Sequence, residues 1–279
     1  MAAGTAIITG GAGGIALALA GRLLERGYRL ILADVDEARL ADSAGQLGGD
    51  VTCLTANLTS PEDLRQLTDL IETTQDLTLL VNNAGIMLPG DIVDLAPDVM
   101  ECHIAINLIA PMRLTQAAAR AMAARRTGCI LSIVSAAGLV ALPGGAAYSA
   151  SKFGLRGFLI AVAQELAATG VKVRGVFPGA VDTPMLRHEA THGGSVLNFL
   201  NKDVLSADDV AAACLKAMDG RRLETHLPFA DGLTARVLCV APGLMDLILP
   251  ALRKQGEAGL RRFLASRGLS LATQGAHHG

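Results

Sequence analysis

The chain has 279 residues, of which 51% are hydrophobic and 18% charged, so it can bury a large core and is too apolar for intrinsic disorder. Its 24 Lys and Arg against 26 Asp and Glu leave a net charge of −2, which argues against a general nucleic-acid binder. The five cysteines (53, 102, 129, 214 and 239) show no CxxC spacing; they predict buried thiols of a reducing cytosol rather than a zinc knuckle or a disulfide framework.

Short β-branched or Leu-rich runs alternate with longer helical patterns along the chain. Thr5–Thr9 reads as the first strand, with no basic lead ahead of it, so no signal peptide is expected and the expected location is the cytoplasm. Ile15, Leu19 and Leu23 then share one helical face, with Arg22, Glu25 and Arg26 offset from it and Gly27 as the stop. Further strands are expected at Arg29–Ala33, Val51–Thr55, Thr78–Val81, Cys129–Val134 and Lys172–Phe177, with helical patterns filling most of the gaps. Such alternation predicts a parallel sheet covered on both faces. Residues 182–206 read as a long excursion with Gly193 and Gly194 in its middle. A helix follows over Ala207–Met218, opened by Ser206 as N-cap with Asp208 and Asp209 in its first turn.

The first strand runs into Gly10-Gly11-Ala12-Gly13-Gly14-Ile15-Ala16 and then a helix. Glycines allow a tight turn and let the backbone approach a pyrophosphate, and the helix N-terminus offers free N–H groups and positive dipole. A merely flexible glycine loop is the alternative, but the position between strand and helix favours phosphate binding. Asp34 follows the next strand and can accept hydrogen bonds from an adenosine ribose diol. It would repel a 2′-phosphate, and no Lys or Arg lies inside the glycine loop, so NAD(H) is expected over NADP(H).

Only two tyrosines are present, and Tyr28, just after Gly27, reads as structural. Tyr148 has Lys152 four residues on, which on a helix places both side chains on one face. A phenol is a poor base at neutral pH, and a neighbouring ammonium favours the phenolate. Ser135 lies just past a strand end, at the edge where α/β sheets hold ligands, and could bond a substrate oxygen.

These residues, taken in order, resemble the short-chain dehydrogenase/reductase family. Thr9 to Ile15 resembles its TGxxxGI cofactor loop, Asn82-Asn83-Ala84-Gly85 its NNAG motif, and Ser135, Tyr148 and Lys152 its catalytic set. Asn107 matches its helix-borne Asn, and Pro178-Gly179-Ala180-Val181-Asp182-Thr183 the loop that holds the nicotinamide end. The resemblance implies an α/β fold, a single Rossmann-like doubly wound domain with a parallel sheet of about seven strands. It further implies hydride transfer between NAD(H) and an alcohol/carbonyl pair, in a homodimer or homotetramer. Tyr148 would be the general acid/base. Lys152 would lower its pKa and bind the nicotinamide ribose, Ser135 would orient the reacting oxygen, and Asn107 would hold a relay water. The cofactor would be held by Gly10, Gly14, Ile15, Asp34, Asn57, Leu58, Asn83, Ala84, Gly85, Tyr148, Lys152, Pro178, Val181 and Thr183. Two positions depart from the family pattern: Ala16 stands for a third glycine, and Asn57 for the Asp beside the adenine. The rival readings are a non-catalytic NAD(H)-binding regulator or scaffold, disfavoured by the retained Tyr148 and Lys152, and a sugar-nucleotide epimerase or dehydratase.

Residues 1–230 are expected to form the dinucleotide-binding and catalytic domain, with a substrate lid at about 185–205. Val196, Leu197, Phe199 and Leu200 in that lid suggest a small lipophilic alcohol or carbonyl substrate. His188 and His192 could pair on a metal only with a third ligand, and none is evident, so no metal is expected. Residues 231–279 form an extension. Val237–Leu252 is mostly apolar, broken by Pro242, Gly243, Asp246 and Pro250, and is too short and interrupted to span a bilayer. Arg253, Lys254, Arg261, Arg262 and Arg267 follow against a single acid, Glu257. Cover for the pocket or for a partner subunit is the favoured role, and peripheral membrane contact the alternative. His277 and His278 read as part of a disordered end.

Overall fold

A computed structural model describes residues 4–241 and 243–271; His277 and His278 lie outside the described residues. Seven parallel strands form one sheet in the order β3-β2-β1-β4-β5-β6-β7. They are β1 (Thr5–Thr9), β2 (Arg29–Asp34), β3 (Val51–Thr55), β4 (Leu77–Asn82), β5 (Gly128–Ile133), β6 (Val171–Pro178) and β7 (Glu224–Leu227). The order reverses between β1 and β4, which opens a crevice at the carboxyl ends of the strands.

Helices cover both faces, as the buried character of β1 requires: all five of its residues are buried. On one face α1 (Gly14–Glu25) and α8 (Ala207–Asp219) pack Leu19, Leu23, Val210 and Cys214 against Ile8, Leu30 and Leu131. On the other, α3 (Pro61–Thr73) and α5 (Ala110–Arg125) pack Leu67, Ile71, Leu114 and Met122 against Ile7, Leu80 and Ile130. The helix ends follow the predicted chemistry. Gly27 adopts a φ of 81° after α1. Ser206 and Asp209 form a reciprocal capping box on α8, and Asp36 caps α2 (Glu37–Leu47).

β1 and β3 coincide with the predicted strands, β2, β4 and β6 run one residue further at one or both ends, and β5 lies one residue earlier. β7 was not among the predicted strands: it is a four-residue edge strand reading ETHL, with no apolar run to mark it. The excursion at 182–206 holds a helix, α7 (Pro184–Thr191), and a 3-10 turn, Val196–Phe199. The extension forms α9 (Phe229–Val240) and α10 (Gly243–Arg267), with Pro250 inside the latter. No helix among the described residues is long and apolar enough to cross a membrane.

α10 lies against the excursion. A Cβ on Gly256 would strike the Val196 carbonyl, and one on Gly259 the Phe199 carbonyl, so only glycines allow this approach. Phe199 and Phe263 meet with ring centroids 5.1 Å apart. Asp182, at the base of the excursion, pairs with Arg187 at 2.9 Å and with Arg267 at 2.5 Å.

Candidate active site

The turn after β1 is built for close approach. Gly10 has a φ of +65°, and a Cβ there would lie 2.8 Å from Ala84 Cα and 2.9 Å from Asn83 Nδ2. Asn83 Nδ2 donates to the carbonyls of Thr9 and Gly10 at 3.0 and 3.1 Å. Thr9 Oγ1 accepts from the backbone N–H groups of Asn83 and Ala84, both at 3.1 Å. These bonds staple the glycine turn to the loop after β4. No side chain caps the N-terminus of α1, which leaves its first N–H groups free for an anion. Ala16 is fully buried in the core under α1.

Asp34 ends β2 with both carboxylate oxygens engaged: Oδ2 accepts from Ala12 N at 3.0 Å and Oδ1 from Asp36 N at 3.2 Å. A guanidinium also reaches this corner, because Arg39 of α2 donates to the Ala12 carbonyl at 2.9 Å. Gly10, Gly14, Ile15, Asp34 and Arg39 line one cavity of about 690 Å3, together with Asn83, Ala84 and Gly85. Pro178, Val181 and Thr183 line it from the far side. Thr183 also caps α7, accepting from Leu186 N at 3.3 Å. Asn57 and Leu58 are not part of the lining. Asn57 Oδ1 is taken by Thr59, whose N–H and hydroxyl donate to it at 3.0 and 2.8 Å, and Leu58 packs against the core.

Tyr148 and Lys152 fall on α6 (Ala146–Glu165) and both line the same cavity. The Lys152 ammonium lies 5.7 Å from the Tyr148 ring centre and donates to the Ile133 carbonyl at 3.2 Å. Burial pushes the ammonium down to about 8. Burial likewise pushes the Tyr148 phenol up to about 12, against the lowering effect of a hydrogen bond with Ser135, and the Glu189 carboxylate adds to the rise.

Ser135 follows β5 with a φ of 146° and a ψ of 156°, a region that side chains rarely adopt. Its Oγ accepts from Ala137 N at 3.1 Å, which turns the chain into the 3-10 turn Ala136–Gly138.

Asn107 is fully buried in a π-helical turn, Ala105–Ile109, that joins α4 (Pro97–Ile104) to α5. Its Oδ1 accepts from Ile86 N and its Nδ2 donates to Ile86 O, both at 2.9 Å, with a further bond to Ser151 Oγ at 3.2 Å. A Cβ on Gly85 would lie 3.2 Å from Asn107 Oδ1 and 3.6 Å from Lys152 Nζ, so the two groups converge on that glycine.

Two residues join this constellation that the sequence did not single out. His103, buried one turn before Asn107, meets the Tyr148 ring edge-on with centroids 6.4 Å apart. Its Nε2 accepts from Leu88 N at 3.1 Å, which leaves Nδ1–H to donate to the Val99 carbonyl at 2.7 Å. Its i, i+4 spacing to Asn107 is the only mark it leaves in the sequence. Glu189, on α7, is buried and lines the cavity with Tyr148. By contrast, His188 and His192 stack on each other at 4.0 Å. No cluster of three or more His, Cys, Asp or Glu among the described residues could hold a metal ion.

Much of the remaining lining is apolar, interrupted by Glu189, Asn198, Asn201 and Asp203. Leu142, Leu186, Leu197 and Leu200 contribute to it, and Leu238, Met245, Ile248 and Leu252 close it from α9 and α10. Phe199 faces away from the cavity, toward Phe263. The glycine turn and these apolar side chains thus share one cavity with the Tyr148 phenol.

Residues 4–193 match the family model described as short chain dehydrogenase. The chain is 31% identical over 238 residues to a short chain dehydrogenase/reductase, dpchG, of Colletotrichum higginsianum, covering 79% of this chain and 88% of that one. It is 33% identical over 242 residues to momilactone A synthase of Oryza sativa, covering 81% and 88%. Among solved structures it resembles a short-chain dehydrogenase of Sphingobium yanoikuyae in complex with NADPH, at 30% identity and a TM-score of 0.75, covering 87% of this chain and 95% of that one. It also resembles a bulky-bulky ketone specific alcohol dehydrogenase of Comamonas testosteroni, at 25% identity and a TM-score of 0.74, covering 88% and 95%. With the glycine turn, the Ser135–Tyr148–Lys152 set and the seven parallel strands in place, the chain belongs to the short-chain dehydrogenase/reductase family.

Proposed function

We propose that this protein is an NAD(H)-dependent oxidoreductase that interconverts a lipophilic secondary alcohol and its ketone or aldehyde. The observation that carries the reading is the position of Tyr148, in one cavity between the glycine turn and a wall of leucines.

The residues of the cradle fit a dinucleotide. Gly10 leaves no room for a side chain, the uncapped start of α1 suits a pyrophosphate, and Asp34 suits a ribose diol. When bound there, the nicotinamide supplies or accepts the hydride. Tyr148 then handles the proton. As a neutral phenol at physiological pH it gives its proton to the carbonyl oxygen as that oxygen gains charge; in the oxidising direction it takes the proton back. Ser135 is held beside it by a strained backbone and orients the same oxygen. Lys152, whose ammonium faces the Tyr148 ring, favours the charged phenolate. Asn107 fixes the Gly85–Ile86 backbone against Lys152.

The choice of NAD(H) rests on Asp34, whose carboxylate repels a 2′-phosphate. Arg39 works in the other direction. Asp34 prevails in this reading because it ends the strand at the cradle, whereas Arg39 is engaged with the Ala12 carbonyl. We read α9 and α10 as cover for the apolar chamber; pelleting with anionic vesicles at low salt would instead favour the membrane role. The test is a cofactor-linked absorbance screen of bulky and small ketones with NADH and NADPH. Reduction of bulky ketones with NADH is expected. Preference for NADPH would overturn the cofactor assignment, and turnover of small polar sugars alone would overturn the substrate class.

A further inference from the structure

Glu189 stands apart from the rest of the chamber. It is 7% exposed, yet it lines the cavity alongside Tyr148, Leu186 and Leu197. Its Oε2 accepts from Asn198 Nδ2 at 2.9 Å. Its Oε1 has no hydrogen-bond partner among the described residues, and no cation among them pairs with it. The basic groups of its own helix are engaged elsewhere. Arg187 is bonded to Asp182 at 2.9 Å, and His188 is stacked on His192.

The side chain is held in this position by the backbone around it. Gly194 N donates to the Glu189 carbonyl at 2.8 Å, and a Cβ on Gly194 would lie 2.7 Å from Glu189 Cβ. The returning chain therefore packs directly against the base of the Glu189 side chain. A carboxylate so placed is costly, because burial removes its water and one amide bond does not replace it. Accordingly its carboxyl is pushed up to about 7 by burial, against the hydrogen bond from Asn198. A leucine at this position would remove that cost and match the neighbouring wall.

We propose that Glu189 is a specificity-determining residue, and that the substrate, besides its apolar body, carries a hydrogen-bond donor (a hydroxyl or an ammonium group) which Oε1 accepts. This rests on the reading of the cavity as the substrate chamber and narrows it from greasy ketones in general to amphipathic ones. The donor supplies the bond the fold leaves unmade. A wholly apolar substrate of the same shape would bury Oε1 without a partner, and sites with stranded polar groups discriminate strongly against such ligands. An ammonium would in addition offset the field that the Glu189 carboxylate exerts on the Tyr148 phenol.

The experiment uses three ketones of matched shape: para-propylacetophenone and its two analogues in which hydroxyl or amine replaces the terminal methyl. Reduction by the full chain is followed for the wild type, Glu189→Gln and Glu189→Leu, and cofactor affinity is read in parallel from nucleotide fluorescence. In the wild type, kcat/KM for at least one donor-bearing ketone should exceed that for the propyl ketone by about tenfold or more. Glu189→Leu should erase or invert this ratio with cofactor affinity unchanged. Glu189→Gln separates the two donors: its carbonyl oxygen stays with Asn198 and an NH2 group takes the place of Oε1, which can donate to a hydroxyl but offers no acceptor to an ammonium. If Glu189→Leu does not fold, the near-isosteric Glu189→Gln carries the test through the ammonium and hydroxyl ratios. Equal kcat/KM for all three ketones in the wild type would overturn the proposal, as would a ratio that survives in both variants. Reduction of none of the three would instead reject the chamber as a site for ketones.

Discussion

The glycine turn after β1 and the chain that follows β6 face each other across Tyr148, and they are held in place by different means. On the cofactor side, backbone meets backbone. Gly10 sits against Ala84, and Asn83 and Thr9 bond main-chain groups whatever the neighbouring side chains are. On the substrate side, side chains of distant segments meet. Residues 182–206 are wedged between the sheet edge and α10, through Phe199 on Phe263 and Asp182 on Arg267. Main-chain geometry tolerates few residue types, whereas a packed wall tolerates many of similar volume. In the proposed reading the first arrangement would serve a ligand of fixed shape, and the second could be reshaped for different substrates.

Substitutions at the junction should disturb both halves least while abolishing the chemistry. Tyr148→Phe removes only the hydroxyl, so kcat is expected to fall by about a hundredfold to ten-thousandfold while cofactor affinity and Tm stay near wild type. Steady-state rates with nucleotide fluorescence decide this. Wild-type-like turnover would reject Tyr148 as the proton donor.

A change confined to the cofactor side should alter the nucleotide and leave the ketone unaffected. Asp34→Ser removes the charge that repels a 2′-phosphate and leaves Arg39 beside the cradle. The ratio of kcat/KM for NADPH over NADH should rise by about tenfold to a hundredfold, at ~1.4 kcal/mol per decade. Adding Arg39→Ala should cancel part of that gain. An unchanged ratio in Asp34→Ser would move the determinant of cofactor choice elsewhere.

The same contrast explains what could be read from the sequence. The residues around the glycine turn are of types with few substitutes, so Gly10, Asp34, Asn83, Tyr148 and Lys152, which share one cavity, could be singled out without coordinates. The alternation of apolar runs with helical patterns gave six of the seven strands. The seventh was hidden because β7 is a short polar edge whose partner, β6, lies some fifty residues earlier. Nothing in the sequence marked Glu189, whose neighbours Gly194 and Asn198 meet it only in the fold. Cover for the pocket or a partner subunit was expected of the extension, but its seat was hidden: only the fold sets Gly256 against Val196 and Gly259 against Phe199. Asn57, expected beside the adenine, lies outside the cavity lining, with its carbonyl oxygen bonded within the Thr59 turn.

On the substrate side, Gly259→Ala places a methyl against the Phe199 carbonyl and should push the excursion off α10. Overpacking of this kind costs about 1–3 kcal/mol, so Tm should drop by a few degrees. The KM for a bulky ketone should rise severalfold with the cofactor dissociation constant unchanged. Equal losses in ketone and cofactor binding would show that the two halves are not independent.

The last effect is confined to neutral and alkaline pH and comes from Glu189 itself. Its carboxyl is raised from the ordinary 4.5 to about 7 in the folded chain by burial, so folding favours the protonated form. The stability tied to this group is therefore complete below about 4.5 and is lost as pH rises through 7. Glu189→Gln keeps an acceptor for Asn198 and has nothing to ionise. The variant should melt above the wild type at pH 8 by up to ~3 kcal/mol, a shift of several degrees, and the two curves should converge near pH 4.5. Tyr148 and Lys152 also carry displaced pKa values, but both chains share them and the difference between the melts removes most of their contribution. A variant that melts below the wild type at pH 8 would show that ionised Glu189 helps to hold α7 in place, and the reason for expecting an acid there to await a ligand would be gone.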